Sequence, residues 1–109
     1  MKRGEIWSVS GAPGYGSKPR PTLIVQSDKL SETESIITCE LTSLDAQEFP
    51  FRPVFDCTPE NGLRVVSAVM VEKLTAVPRD KLGQRIGELS DEDMARVEQA
   101  MLVVLGFAG

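Results

Sequence analysis

Histidine is missing from the 109 residues altogether. Its absence excludes a Ser-His-Asp, Cys-His or His-zinc mechanism, because the usual neutral-pH base and the commonest metal ligand are both gone. Long apolar runs are missing too. The longest, VMV and MLVVL, fall far short of the ~20 residues a spanning helix needs, and the opening MKRGEIW has no apolar core of a secretory signal. The expectation is a cytoplasmic protein with no membrane partner. Cysteine is scarce: Cys39 and Cys57 are the two, no C-x-x-C spacing suggests a metal, and free thiols are expected rather than a disulfide.

What remains suits one compact domain over residues 1–109, 41% hydrophobic and large enough to bury a modest core. The net charge of −4 argues on its face against nucleic acid, but the charges are unevenly placed. Residues 1–30 hold Lys2, Arg3, Lys18, Arg20 and Lys29 against Glu5 and Asp28, a balance of +3; residues 31–60 come to −6 and the remainder to −1. A local basic patch can coexist with an acidic whole. Phosphate binding by such a patch is weakly steered and suits a short single-stranded segment better than a long duplex.

Strand-like runs separated by turn residues fill the first four fifths. EIWSVS leads into the Gly/Pro/Ser-rich GAPGYGSKP, which reads as one mobile loop, and RPTLIVQ, SIITCELTS, RPVFD and LRVVSAVMVEKL follow as β-branched, partly alternating segments. VPRDKLGQRIGEL suggests a tight turn at Pro78 to Lys81 and a short strand around Arg85 to Leu89. Then the period changes: after Ser90 come Asp91, Glu92 and Asp93, with Met94, Val97, Met101, Val104 and Leu105 at helical spacing and Gly106 as the stop. Ser90 as N-cap and the acids at the positive helix end are together worth ~1–2 kcal/mol. The pattern predicts a mainly β domain with a C-terminal helix, its sheet strongly curved or rolled into a half-open barrel.

Within KPRPTLIVQ, Lys18 and Arg20 each precede a proline and are pushed toward extended geometry, so both project to one side. Thr22 and Gln26 continue that face, Pro21, Leu23 and Val25 take the other, and Ile24 breaks the pattern, which suggests a partly apolar groove floor. Both prolines sit at the strand's start, where a missing N–H is tolerable on an edge. In IITCELTS, Ile37, Cys39 and Leu41 alternate with Thr38, Glu40 and Thr42; if the two strands pair, Arg20 and Thr42 face one groove. Arg20 also reads as a solvated edge residue that discourages sheet-to-sheet pairing, and Thr42 as a strand-end hydroxyl. The residues by themselves stop at a cationic groove on a small β domain.

With those residues in hand, the chain resembles the MazF/PemK family of toxin endoribonucleases from type II toxin–antitoxin pairs. The likeness runs through KRGEIWSV, the GS loop, RPTLIVQSD, CELTS, FPF, GLRVVSAVMVEKL and DKLGQRIGELSDEDMARVEQAMLVVLG. It implies a small SH3-like half-open barrel of the MazF/CcdB/Kid-like type and a homodimer whose paired surfaces form the groove. It also implies metal-independent, cofactor-free cleavage of single-stranded RNA that leaves a 2′,3′-cyclic phosphate and a 5′-hydroxyl. The family's catalytic arginine falls on Arg20 and its threonine on Thr42. Tyr15, Ser17, Lys18, Ser43 and Lys73 are the expected substrate-binding residues, with Tyr15 the stacking candidate in the glycine-rich loop. The implied protein partner is a cognate MazE/PemI-like antitoxin, whose disordered C-terminal tail occupies the groove and the loop.

Two departures stand out. Relatives often carry an acid after the GS, where this chain has Lys18, and the family's EQI reads EKL, with Glu72 retained, Lys73 replacing the glutamine and Thr75 where a basic residue is common. Base recognition is therefore expected to differ. Glu5, Glu40 and Glu72 are the candidates for a general base, each equally readable as a solvated or ion-paired strand residue. Phe49 and Phe51 are candidates for base stacking or for the core, and Trp7 is assigned to the core or a dimer contact. A CcdB-like gyrase poison and an inert SH3-like interaction module are the rival functions on the same fold; retention of Arg20 and Thr42 favours the nuclease.

Overall fold

The computed structural model describes residues 1–10, 19–44 and 49–109. Glu5–Val9 (β1) and Arg20–Ile24 (β2) pair antiparallel, with Ile6 opposite Leu23 and Val9 opposite Arg20. On its other edge β1 takes Leu82–Glu88 (β7), with register shifts on either side of Trp7. Ser35–Ser43 (β3) is the longest strand and serves three partners. β2 lies along its middle, with Thr22 opposite Glu40 and Ile24 opposite Thr38. The opposite edge is shared: Thr75–Pro78 (β6) pairs with Ser35–Thr38, and Ser67–Val69 (β5) pairs with Leu41–Ser43. Val54–Phe55 (β4) extends the sheet beyond β5.

β6 and β7 hang on opposite margins of the β3–β2–β1 strip, yet a 3-10 turn of only three residues, Arg79–Lys81, joins them. So short a link makes the strip curl. Among the described residues no pairing between β6 and β7 closes the sheet, which leaves a half-open barrel.

Alternation sends Ile6, Leu23, Cys39, Leu41 and Val69 into the main core, where Phe55, Leu63 and Val71 join them. The helix Asp91–Val104 (α1) covers that face with Met94 and Val97, and each fully buried side chain of this size contributes about 1.5–3 kcal/mol. Ser90 caps the helix, its hydroxyl accepting the Asp93 N–H at 3.1 Å. Gly106, at φ +82°, ends it: Gly106 N donates to Val103 O and Phe107 N to Leu102 O, the paired bonds of a left-handed C-terminal cap. The other sheet face carries a smaller cluster of Ile24, Ile36 and Leu82, packed by Trp7 and Val9. Trp7 thus belongs to this second core.

Three sequence expectations shift. β2 is an inner strand, not an edge; Pro21 is accommodated because the β3 ladder starts only at Thr22. The LRVVSAVMVEKL run is regular only over Ser67–Val69, and β6 was not foreseen. Ile37 is exposed although Cys39 and Leu41, on the same side of β3, are buried. Cys39 is a free thiol in the core and Cys57 a free thiol at the surface. Among the described residues no helix is long and apolar enough to cross a membrane.

Candidate active site

Thr22 and Glu40 face each other across β2 and β3. The pairing ends there; because side chains repeat every two residues along a strand, Arg20 shares the Thr22 face of β2 and Thr42 the Glu40 face of β3, so both belong to one sheet face. On the far side of β3, Thr42 is opposite Ala68 and Ser43 opposite Ser67, so Thr42 has a small neighbour on its own face.

The Arg20 guanidinium reaches diagonally to Glu40, Nη1 to Oε1 at 3.4 Å, with side chains 45% and 39% exposed. A pair this exposed contributes about 0–1 kcal/mol, so exchanging the carboxylate for a phosphate costs little. Arg20 is held in place without being sequestered.

The other two acids read from the sequence are committed to structure. Glu5 accepts from Lys2 N at 2.8 Å, Trp7 Nε1 at 3.0 Å and Arg85 Nε at 3.0 Å. Burial pushes its carboxyl up, but these donors outweigh that and hold it down at about 2. Glu72 takes the Arg52 guanidinium side-on, with Nε at 3.0 and 2.9 Å from its two oxygens and Nη2 also bonded to Oε2. Those hydrogen bonds keep the Glu72 carboxyl below the usual range. Burial, helped by the charge of Glu72, raises the Cys39 thiol to about 12, so Cys39 is no nucleophile.

Arg52 is the residue sequence reasoning missed. Its guanidinium also lies 4.1 Å over the ring of Phe49, which in turn sits 5.6 Å from Phe51. Both rings are exposed, so the stacking alternative for them gains over the core alternative. The FPFR run held the clue, but its anchor, Glu72, is 20 residues away. Lys73 is exposed on the turn after β5, its N–H bonded to Met70 O. Tyr15, Ser17 and Lys18 lie outside the described residues. A groove of about 650 Å³ bounded by Trp7, Gln26, Leu30, Ile36 and Arg79 opens elsewhere; neither Arg20 nor Thr42 lines it.

The arrangement offers an exposed guanidinium, a carboxylate paired with it and a hydroxyl on the same sheet face, with no imidazole in the chain. The model of the PemK-like, MazF-like toxin of type II toxin–antitoxin systems matches residues 2–105. The chain belongs to that family. The match covers every described strand, with Arg20 and Thr42 inside it, and ends one residue past α1.

Among relatives of this PemK/MazF-family chain, the "Probable endoribonuclease MazF" of Mycolicibacterium smegmatis is 40% identical over 109 residues, the full length of both proteins. "Endoribonuclease MazF9" of Mycobacterium tuberculosis is 29% identical over 93% of this chain and 92% of its own. The fold agrees with solved structures. A mycobacterial endoribonuclease in complex with its cognate antitoxin superposes with a TM-score of 0.82 at 22% identity, covering 100% of this chain and 98% of that one. MazF in a MazE–MazF structure from Deinococcus radiodurans gives 0.74 at 21% identity, covering 97% and 96%.

Proposed function

We propose that this PemK/MazF-family toxin is an endoribonuclease that cuts single-stranded RNA, with Arg20 and Thr42 as its catalytic residues. The observation that supports this reading is the Thr22–Glu40 pairing of β2 and β3, from which side-chain alternation gives Arg20 and Thr42 a common sheet face. The 2′-oxygen attacks the adjacent phosphorus, the bond to the 5′-oxygen breaks, and a cyclic phosphate remains. Negative charge builds on the non-bridging oxygens, and a guanidinium meets two of them at once while staying charged throughout. Arg20 is the electrostatic stabiliser, a role worth about 3–4 kcal/mol when a comparable donor is removed. Thr42 donates its hydroxyl to the phosphate. DNA lacks the attacking 2′-hydroxyl and is not cut.

The protein acts in the cytoplasm as a homodimer, for which Leu102, Val103, Leu105 and Phe107, all exposed around the end of α1, offer apolar surface. Its second partner is a MazE-like antitoxin tail. Ser43 and Lys73 border the substrate path, with Tyr15, Ser17 and Lys18 in the segment leading to Arg20. A gyrase poison is not favoured, since the named relatives are endoribonucleases.

The test is incubation of the purified chain with a long single-stranded RNA in excess chelator. Wild type yields discrete cuts, and Arg20→Ala and Thr42→Ala abolish or strongly slow them. RNA left whole by the wild type, or cut equally by Arg20→Ala, overturns the proposal.

A further inference from the structure

We propose that Glu40 is the general base of the reaction, taking the proton from the attacking 2′-hydroxyl. This assignment rests on the nuclease reading and adds the group that reading lacks. In-line attack by a hydroxyl needs a proton acceptor within hydrogen-bond reach, and a chain without histidine must find it elsewhere. Of the three acids the strand pattern marks out, Glu5 is closed in by a backbone N–H, an indole and a guanidinium, and Glu72 is gripped by Arg52. Glu40 is the acid whose carboxylate meets Arg20. It stands opposite Thr22, two residues before Thr42 on the same side of β3, with Oε1 3.4 Å from Arg20 Nη1 and more than a third of the side chain open to solvent.

A phosphate that displaces this carboxylate from Arg20 brings its ribose alongside Glu40. One oxygen of the freed carboxylate then accepts the 2′-proton as the 2′-oxygen closes on phosphorus. The bond to the 5′-oxygen breaks, that oxygen takes a proton from water, and Glu40 returns its own to solvent. The step is an intramolecular transesterification that splits the strand and consumes neither water nor oxidant. The backbone around Glu40 is fixed from both sides: β2 pairs with it at Thr22, and Met70 N donates to Glu40 O at 3.0 Å. Among the described residues, the charged groups on the neighbouring elements are Arg20 on β2, Arg52 just before β4, and Glu72 and Lys73 between β5 and β6, of which Arg52 and Glu72 neutralise each other.

The experiment compares wild type, Glu40→Gln and Glu40→Asp on the same chelated RNA, as kcat/KM against pH, with RNA affinity and thermal melting measured alongside. Glu40→Gln is expected to fold, to bind RNA as wild type does, to lose about 10²–10⁴-fold in kcat/KM at neutral pH, and to lose the acid-side rise of the profile. Glu40→Asp is expected to keep that rise at a lower rate, because a carboxylate remains. A Glu40→Gln profile of unchanged shape overturns the assignment, whether the rate falls, as for a residue that only positions Arg20, or stays at the wild-type level. These results differ from failure of the nuclease reading itself, in which wild type leaves the RNA whole and the role of Glu40 falls with it.

Discussion

Replacing Glu72 by glutamine keeps the shape of the side chain and removes one charge, which makes it the sharpest probe of the anchor behind the aromatic pair. The Arg52 side chain is 4% exposed and that of Glu72 23%. Arginine cannot shed its proton, so Glu72→Gln leaves a buried guanidinium with an amide in place of a carboxylate and the Phe49 ring, 4.1 Å away, as further compensation. Breaking a buried pair typically costs about 3–5 kcal/mol; because water reaches the Glu72 side, the lower part of the range applies, about 3–4 kcal/mol. Against a total stability of about 5–15 kcal/mol, that corresponds to a fall in Tm of roughly 10–20 °C for a domain of this size.

Urea denaturation of Glu72→Gln, Arg52→Met and the double variant at neutral pH measures the coupling, and the double variant is expected to be more stable than Glu72→Gln because no charge is stranded. Acid has a defined sign here. The Glu72 carboxyl is held below its unfolded value, so the pair's contribution is present above the unfolded value and disappears as pH falls through the folded one, and wild type and Glu72→Gln converge in acid. A cost below about 1 kcal/mol at neutral pH, the scale of an exposed pair, refutes the reasoning.

Glu5 titrates in the same sense, from an ordinary carboxyl value of 4.5 down to about 2 in the folded chain. Its contribution, of order 2–3 kcal/mol, is complete above the unfolded value and lost between there and about pH 2, so Glu5→Gln should flatten the acid loss of stability in pH-dependent urea melts. Ser90→Ala removes the acceptor for Asp93 N and should cost about 1 kcal/mol, read from the same denaturation curves. Gly87→Ala sets a Cβ 2.4 Å from the Asn61 carbonyl group and 2.5 Å from Glu60 O, all backbone atoms that cannot rotate away. A loss of about 1–3 kcal/mol or more is expected, and a melting temperature within error of wild type would contradict it.

Local chemistry made the helix legible in the sequence: Ser90, three acids, the apolar spacing and Gly106 act within a few residues of one another, and the structure has each in its expected place. The same holds for the alternation in β2 and β3 and for the tight turn before β7, since side-chain periodicity needs no tertiary partner. β6 escaped because a four-residue strand gains its order from pairing with Ser35–Thr38, 40 residues upstream, and its own residues carry little signal. Pattern also sets Arg20 and Thr42 toward one groove on the condition that β2 and β3 pair, and marks Glu40 on the Thr42 side of β3. Their register, which makes one face of them, is fixed by hydrogen bonds between strands that the intervening chain only tethers. Which of three acids stays available was likewise decided in three dimensions: Glu5 and Glu72 are committed by Arg85 and Arg52, 80 and 20 residues away along the chain, and a linear sequence holds no record of such distances.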